Sequence, residues 1–204
     1  MTYEKKEKLV SGALSLTFVL AIVCHYVYGP WGFYSRVSRQ EAAERMTVVT
    51  AAEGWLGTNE YDGSHQRIVD LYNSQESLPV GYVLQNTDSW CAAFVTAVAM
   101  QTLRTDIIPP ECGCERQIEL WKALGRWQED DDHIPQPGDL IYYDWNVTEQ
   151  GSCTGWADHV GIVAGVKWPF VKVIEGNKDD DVSYRVIPIG DMTIRGYGLP
   201  EYGG

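Results

Sequence analysis

Hydrophobic and polar residues along the chain follow a helical period first and a strand period afterwards. Apolar residues three and four positions apart, or in longer runs, predict helices over residues 64–73, 91–103 and 118–127. A capping box of Ser38 and Glu41 predicts another helix over residues 38–52. Beyond residue 138, short apolar runs bounded by turn residues predict strands over residues 139–143, 159–166, 171–175, 183–189 and 193–197. Helices followed by consecutive strands are typical of the α+β class, with N-terminal helices packed on a central antiparallel sheet.

The N-terminal segment has a pattern of its own. Residues 9–28 contain no Asp, Glu, Lys or Arg, and at ~1.5 Å rise per residue such a helix just spans a ~30 Å hydrocarbon core. Lysines precede this run and aromatic residues follow it: Lys5, Lys6, Lys8, Trp31, Phe33 and Tyr34. We predict that residues 1–34 form a cytoplasmic tail, one transmembrane helix and an interfacial collar, with residues 35–204 outside the cell membrane. A cleaved signal peptide and a buried core helix are the alternatives.

Charge and length restrict the partners of the remaining domain. The 204 residues carry a net charge of −12, and the pI is near 4.7. An acidic surface attracts neither nucleic acid nor anionic lipid, so we predict no nucleic-acid partner and a membrane contact only through the N-terminal helix. The length fits a single domain with a core, and no internal repeat indicates a second one.

Acidic runs and cysteines do not have the spacing of a metal site. The runs at residues 129–132 and 179–181 lack the spaced ligands of an EF-hand. Three cysteines and one histidine match no common zinc pattern: Cys112, Cys114, Cys153 and His133. We therefore predict no metal and no cofactor. A disulfide from Cys112 or Cys114 to Cys153 stays open, because export permits oxidation.

Three side chains supply, in chain order, the parts of a thiol hydrolase. Cys91 opens an apolar helix, where backbone N–H groups and the helix dipole lower the pKa of a thiol. His159 begins a strand and is the base, while Glu175 or Asn177 at the end of the next strand orients the imidazole. Taken singly, each has an ordinary alternative: a buried structural cysteine, an exposed loop histidine and a polar strand end.

The residues around these side chains predict how they meet. Gly161 follows His159 on the same face of its strand and leaves space for the approach of the Cys91 helix. Glu175 and Asn177 are two residues apart, so both point to one side if the strand persists.

The segment before Cys91 contributes two further expectations. Asp88 or Ser89 caps the helix that Cys91 opens. Gln85 lies six residues before Cys91, a spacing at which papain-like proteases place an oxyanion donor, although an ordinary loop glutamine explains it equally well.

Four segments occur in order with plausible spacing: SWCAAFV (89–95), PQPGDLIYYDW (135–145), DHVGIV (158–163) and IEGN (174–177). From about residue 42 onward the chain resembles the cysteine, histidine-dependent amidohydrolase/peptidase (CHAP) domain, a branch of the NlpC-type papain-like hydrolases. The resemblance implies a papain-like fold and cleavage of peptidoglycan. The bond is the N-acetylmuramoyl–L-alanine amide or an amide of the peptide stem or cross-bridge.

The resemblance also implies roles for individual residues. Cys91 is the nucleophile, His159 the general base and acid, Glu175 the orienter and Asn177 a fourth polar residue of the catalytic site.

Two tryptophans are candidates for binding substrate, since aromatic walls suit sugar rings. These are Trp90 and Trp156, and ordinary packing is their alternative. Two other functions stay open for the whole chain. The same catalytic groups serve acyl transfer to an amine, as in transglutaminases and transpeptidases, and a catalytically silent surface module that binds the cell wall needs none of them.

Overall fold

The computed structural model describes residues 38–146 and 155–204. The helices of this part of the chain are α1 (Arg39–Glu53), α2 (Gln66–Asn73), α3 (Cys91–Gln101) and α4 (Cys114–Ala123). A 3₁₀ turn at Pro79–Gly81 lies between α2 and α3. All four of these helices come before the six strands of the sheet, which confirms the predicted α+β class.

One antiparallel sheet follows, with the strand order β1-β6-β2-β3-β4-β5. Its strands are β1 (Trp127–Gln128), β2 (Leu140–Tyr143), β3 (His159–Lys167), β4 (Phe170–Lys178), β5 (Asp181–Pro188) and β6 (Ile194–Gly198). The predicted strands are confirmed as β2 to β6, with ends that differ by at most a few residues. The order places β3 between β2 and β4, so the starting end of β3 is supported from both sides.

The prediction of a helix over residues 118–127 is wrong at both ends. Helix α4 begins at Cys114 and ends at Ala123. Gly125 takes φ +67, and the N–H of Arg126 donates to the carbonyl of Trp121 at 2.9 Å. This is a Schellman end, which stops a helix and turns the chain. The chain then enters β1 instead of continuing as a helix.

Helix α3 is buried on nearly all sides and packs on β3 and β4. The sheet has apolar cover on both faces. Leu140 and Tyr142 join the apolar cluster around α3, whereas Ile141 and Tyr143 join a second cluster on the opposite face, as expected from alternation along a strand. Burial of α3 thus fixes its first residue, Cys91, against the sheet.

Two glycines on neighbouring strands allow close packing on the sheet. A Cβ on Gly176 would lie 2.5 Å from Cβ of Phe94, so this glycine lets α3 approach β4. A Cβ on Gly161 would lie 2.6 Å from Cγ1 of Val173 and 2.7 Å from Cγ of Glu175. The role expected for Gly161 is therefore wrong, because Val173 and Glu175 fill its space and α3 does not.

Within residues 38–146 and 155–204, no helix has the length and apolarity needed to cross a membrane. The predicted transmembrane helix at residues 9–28 lies outside the described residues, as do the tail, the collar and Cys153. The membrane helix and the domain division after residue 34 stay predictions.

Candidate active site

Cys91 is the first residue of α3, at the N-terminal end of a buried helix. The N-cap is Trp90, and no side chain caps the helix, so the expectation that Asp88 or Ser89 does so is wrong. The Asp88 carboxylate instead accepts from the backbone N–H of Gln85 at 2.8 Å. Orphan N–H groups of a first helical turn interact favourably with negative charge.

His159 lies at the start of β3, opposite Tyr143 of β2. Its Nε2 lies 3.1 Å from Oε2 of Glu175, and its ring lies near enough to the Cys91 thiol for the two groups to interact electrostatically. Glu175 is fully buried, and His159 and Cys91 are 8% and 4% exposed. The structure thus brings Cys91, His159 and Glu175 together in one chain of contacts.

These contacts favour a thiolate beside an imidazolium. The hydrogen bond with Cys114, followed by that with His159, holds the pKa of the Cys91 thiol well below its ordinary range despite burial. Burial lowers the pKa of His159, but hydrogen bonds with Cys91 and Glu175 outweigh it and raise the pKa to about 9. Both shifts favour opposite charges on the pair, and its protons titrate as a coupled unit.

The comparison with protein families agrees with this geometry. The family model of the CHAP domain matches residues 82–177, a range that includes all three side chains. The predicted resemblance to the CHAP domain is thus confirmed over residues 82–177. CHAP domains are in general hydrolases that act on peptidoglycan. The chain matches no curated protein and no solved structure.

Arg185 on β5 belongs to the site of this CHAP domain although it lies beyond the matched residues. Its Nε lies 2.7 Å and 2.9 Å from the two carboxylate oxygens of Glu175. Burial raises the pKa of Glu175, but hydrogen bonds from His159 and Arg185 outweigh it and keep the pKa below its ordinary value. The guanidinium also lies 4.8 Å from the ring centroid of Trp145.

Sequence reasoning missed Arg185 because its position depends on strand register. Glu175 pairs with Ser183, and Arg185 lies two residues further on β5, on the same face. The sequence does place a single arginine in the strand after Glu175. That arginine can be assigned to the site only when the register of the β4–β5 hairpin is known.

Cys114 is a second contact that sequence reasoning did not assign to the site. Its Sγ lies 3.6 Å from Sγ of Cys91, and its side chain is buried. Within the described residues, Cys91, Cys112 and Cys114 are free thiols. The disulfide considered for Cys112 or Cys114 involves Cys153, which lies outside the described residues.

Asn177 does not share the contact between Glu175 and His159. The pairing of β4 with β5 shifts between Glu175 and Lys178, and Asn177 takes φ +59. Its Nδ2 donates to Oε1 of Glu60 at 3.1 Å. The expectation that Glu175 and Asn177 point to one side required a regular strand, and the strand is irregular at this point. A catalytic role for Asn177 stays a prediction.

The two predicted substrate-binding tryptophans differ in exposure. Trp90 is fully buried, donates from Nε1 to Glu60 at 2.8 Å and stacks on His65 with ring centroids 5.9 Å apart. A ring without exposed surface offers no wall to a sugar, so the substrate-binding role predicted for Trp90 is wrong. Trp156 is 77% exposed, and its role in binding stays a prediction.

Gln85 and the candidate zinc ligands lie in other environments. The Gln85 amide donates to the carbonyl of Val83 at 2.9 Å and is exposed, so it is turned toward its own loop. Among residues 38–146 and 155–204, no group of three or more His, Cys, Asp and Glu side chains has an arrangement that could hold a metal ion. His133 packs on Tyr197, with ring centroids 4.9 Å apart.

Proposed function

We propose that this chain is an exported cysteine hydrolase that cleaves peptidoglycan amide bonds with Cys91, His159 and Glu175. The observation that supports it most is the position of His159, which interacts with the Cys91 thiol on one side and lies 3.1 Å from Glu175 on the other. A buried structural cysteine needs no such partner, whereas a thiol nucleophile needs a base and the base needs an orienting group. The amide at N-acetylmuramoyl–L-alanine and the amides of the stem and cross-bridge are the candidate bonds.

The proposed reaction has two steps. The Cys91 thiolate attacks the amide carbonyl, and backbone N–H groups at the start of α3 stabilise the oxyanion that forms. His159 gives its proton to the leaving amine, and the acyl group stays on Cys91 as a thioester. Water, deprotonated by His159, then attacks the thioester, which releases the acid and restores the thiolate. Throughout, Glu175 holds the imidazole ring in place.

The test is muropeptide release from purified sacculi by single-residue variants. Cys91→Ala and His159→Ala are each expected to lower the rate by at least ~10³-fold, because nucleophile and base act as a unit. Glu175→Ala is expected to cost less, because it acts through His159. Cys112→Ala is the matched control, since it removes a free thiol of intermediate exposure that takes no part in the mechanism.

Undiminished activity of Cys91→Ala, with folding verified by circular dichroism, would end this proposal. Product masses identify the cleaved amide. They also separate hydrolysis from acyl transfer, because only transfer leaves a supplied labelled amine on the product. The silent module would be favoured by two results together. The unaltered chain would be inactive on all sacculi tested, and its Cys91 thiol would react no faster than a model thiol.

We further propose that the catalytic domain faces outward on a single-pass membrane helix. The apolar run at residues 9–28 and the lysines before it support this orientation. Protease added to intact cells is expected to degrade the domain and leave an N-terminal remnant in the membrane fraction. Complete protection in intact cells, with degradation only after lysis, would contradict the orientation.

A further inference from the structure

A second thiol lies directly against the sulfur that the proposed function assigns as nucleophile. Sγ of Cys114 lies 3.6 Å from Sγ of Cys91, and both side chains are buried, at 8% and 4% exposure. We propose that the Cys114 S–H donates a hydrogen bond to the Cys91 thiolate and is a catalytic residue that keeps the nucleophile charged. This inference rests on the proposed function, because it requires a Cys91 thiolate.

The surroundings decide which sulfur holds the proton. Both thiols begin a helix, Cys91 on α3 and Cys114 on α4, so the helix dipole does not distinguish them. Only Cys91 interacts with His159, and that cation favours negative charge on its sulfur. Cys114 has no such cation: the hydrogen bond with Cys91 and burial raise its pKa well above the ordinary value, and the charge of Asp158 adds to this. Cys114 therefore stays protonated and is the donor, while Cys91 is the acceptor.

Helix α4 holds Cys114 in a fixed place because a buried polar network ties this helix to the sheet. Trp121 donates from Nε1 to the hydroxyl of Tyr142 at 2.7 Å, and that hydroxyl donates to Oε1 of Gln117 at 2.8 Å. Gln117 in turn donates to the carbonyl of Pro109 at 2.7 Å. Satisfied buried networks of this kind hold side chains in single positions.

The same helix also contacts the segment that leads to His159. The backbone N–H of Ala157 donates to Oε2 of Glu115 at 3.0 Å. Cys114 and Glu115 are neighbours at the start of α4, so one end of one helix contacts the sulfur of Cys91 and the approach to the imidazole. A thiol in this position is built into the site rather than incidental to the core.

Loss of the Cys114 donor is expected to change the pH at which Cys91 ionises. The titratable groups around Cys91 are His159 on β3, Tyr142 on β2 and Cys114 on α4, with Glu175 behind His159 and Asp158 near Cys114. Of these, Cys114 and His159 donate hydrogen bonds to the thiolate. Removal of the Cys114 donor leaves the charged form less stabilised, so the pKa of Cys91 must rise. A hydrogen bond stabilises a charged acceptor, but S–H is a weak donor, so we expect a rise of about one pH unit.

The experiment measures iodoacetamide alkylation of Cys91 in the full chain in detergent, across acidic to alkaline pH. Peptide mapping by mass spectrometry separates Cys91 from the other cysteines. The variants are Cys114→Ala, which removes the proton, Cys114→Ser, which keeps a donor on a shorter bond, and Cys112→Ala as control. The alkylation midpoint is expected to move up by about one pH unit in Cys114→Ala and by less in Cys114→Ser, and to stay in place in Cys112→Ala.

Each outcome bears on one proposal. A midpoint at the ordinary thiol pKa of ~8.5 in the unaltered chain means that Cys91 is not activated, and the proposed function fails with it. A low midpoint in the unaltered chain that Cys114→Ala leaves unchanged overturns the role of Cys114 alone. An upward shift that Cys114→Ser partly reverses supports it. If Cys114→Ala does not fold, Cys114→Val, which fills the space without a proton, is judged by the same criteria.

Discussion

At the scale of single residues, the Glu175 carboxylate serves two partners. His159 takes one of its oxygens, at 3.1 Å, and Arg185 lies within 2.9 Å of both. A lone carboxylate in this buried place would favour the imidazolium strongly. Arg185 offsets part of that charge through its contacts with both carboxylate oxygens. We expect this compensation to limit how far Glu175 raises the pKa of His159, which lies at about 9.

The charge balance predicts how Arg185 affects the pH profile of the reaction. The alkaline limb of kcat/KM is expected near the His159 pKa of about 9, where the imidazolium loses its proton. Arg185→Gln removes a positive charge, so the negative charge of Glu175 acts on His159 uncompensated and the pKa rises. The limb is then expected to move to higher pH by roughly one unit, with a lower maximal rate because Glu175 is less well held.

Arg185→Lys is the matched control for this prediction. It keeps the charge but not the planar donor geometry, so it is expected to retain the position of the limb and lose part of the rate. A purely structural role would lower activity in both variants without moving the limb. Unchanged limbs in both variants would therefore refute the compensating role of Arg185.

The sequence predicts only part of this site, for a physical reason. Cys91, His159 and Glu175 are tied to the ends of helices and strands, and local patterns of apolar and polar residues indicate such ends. Arg185 and Cys114 reach the site through the register of a hairpin and through the packing of α4 on β2. Neither the hairpin register nor the packing of α4 can be predicted from the local sequence. For Trp90 the sequence predicts a role that the structure does not support. An aromatic residue next to the nucleophile suggests a surface for binding substrate, but contacts with His65 and Glu60 bury Trp90.

At the scale of elements, long patterns are reliable guides and short ones are not. The run that begins at Cys91 is apolar enough to specify a buried helix, and β3 and β4 have the length to show their character. Strand β1 has only two residues, too few for a recognisable sequence pattern, and it is identified as a strand by its pairing with β6. The irregularity of β4 after Glu175 comes from the tight connection to β5, which an alternating pattern does not reveal.

Close packing on the neighbouring strands predicts unequal effects of two similar substitutions on β3. Gly161→Ala places a Cβ 2.6 Å from Val173 and 2.7 Å from Glu175, so the strand or the carboxylate must move. We expect a loss of about 1–3 kcal/mol in the free energy of unfolding, together with a lower reaction rate because Glu175 is displaced. Gly165→Ala is the control on the same strand, since its Cβ meets nothing within 4 Å.

Thermal unfolding followed by near-ultraviolet circular dichroism measures the difference between these variants. For a domain of this size each 1 kcal/mol lowers Tm by roughly 2–4 °C. Gly165→Ala is expected to leave Tm unchanged or slightly raised, because alanine reduces the entropy of the unfolded chain. Equal Tm values for the two variants would show that the space at Gly161 is not needed.

At the scale of the whole molecule, the CHAP match and the folded unit differ in extent. The match covers residues 82–177, but β6 lies between β1 and β2 in the sheet, and β5 covers the outer side of β4. Helix α1, also outside the match, contributes Val48 and Val49 to the main core, where they are 0% and 1% exposed. The site is likewise incomplete within the match, because Arg185 comes from β5.

This difference predicts that the matched segment cannot fold alone. A fragment of residues 82–177 leaves β1 without a partner, turns β2 into an edge and exposes the core surface that α1 covers. We expect it to lack near-ultraviolet circular dichroism and a cooperative thermal transition. A fragment of residues 38–204 keeps every described strand and is expected to melt cooperatively and to retain activity on sacculi. Cooperative melting of the shorter fragment would show that α1, α2, β5 and β6 are additions to a self-sufficient domain rather than parts of its core.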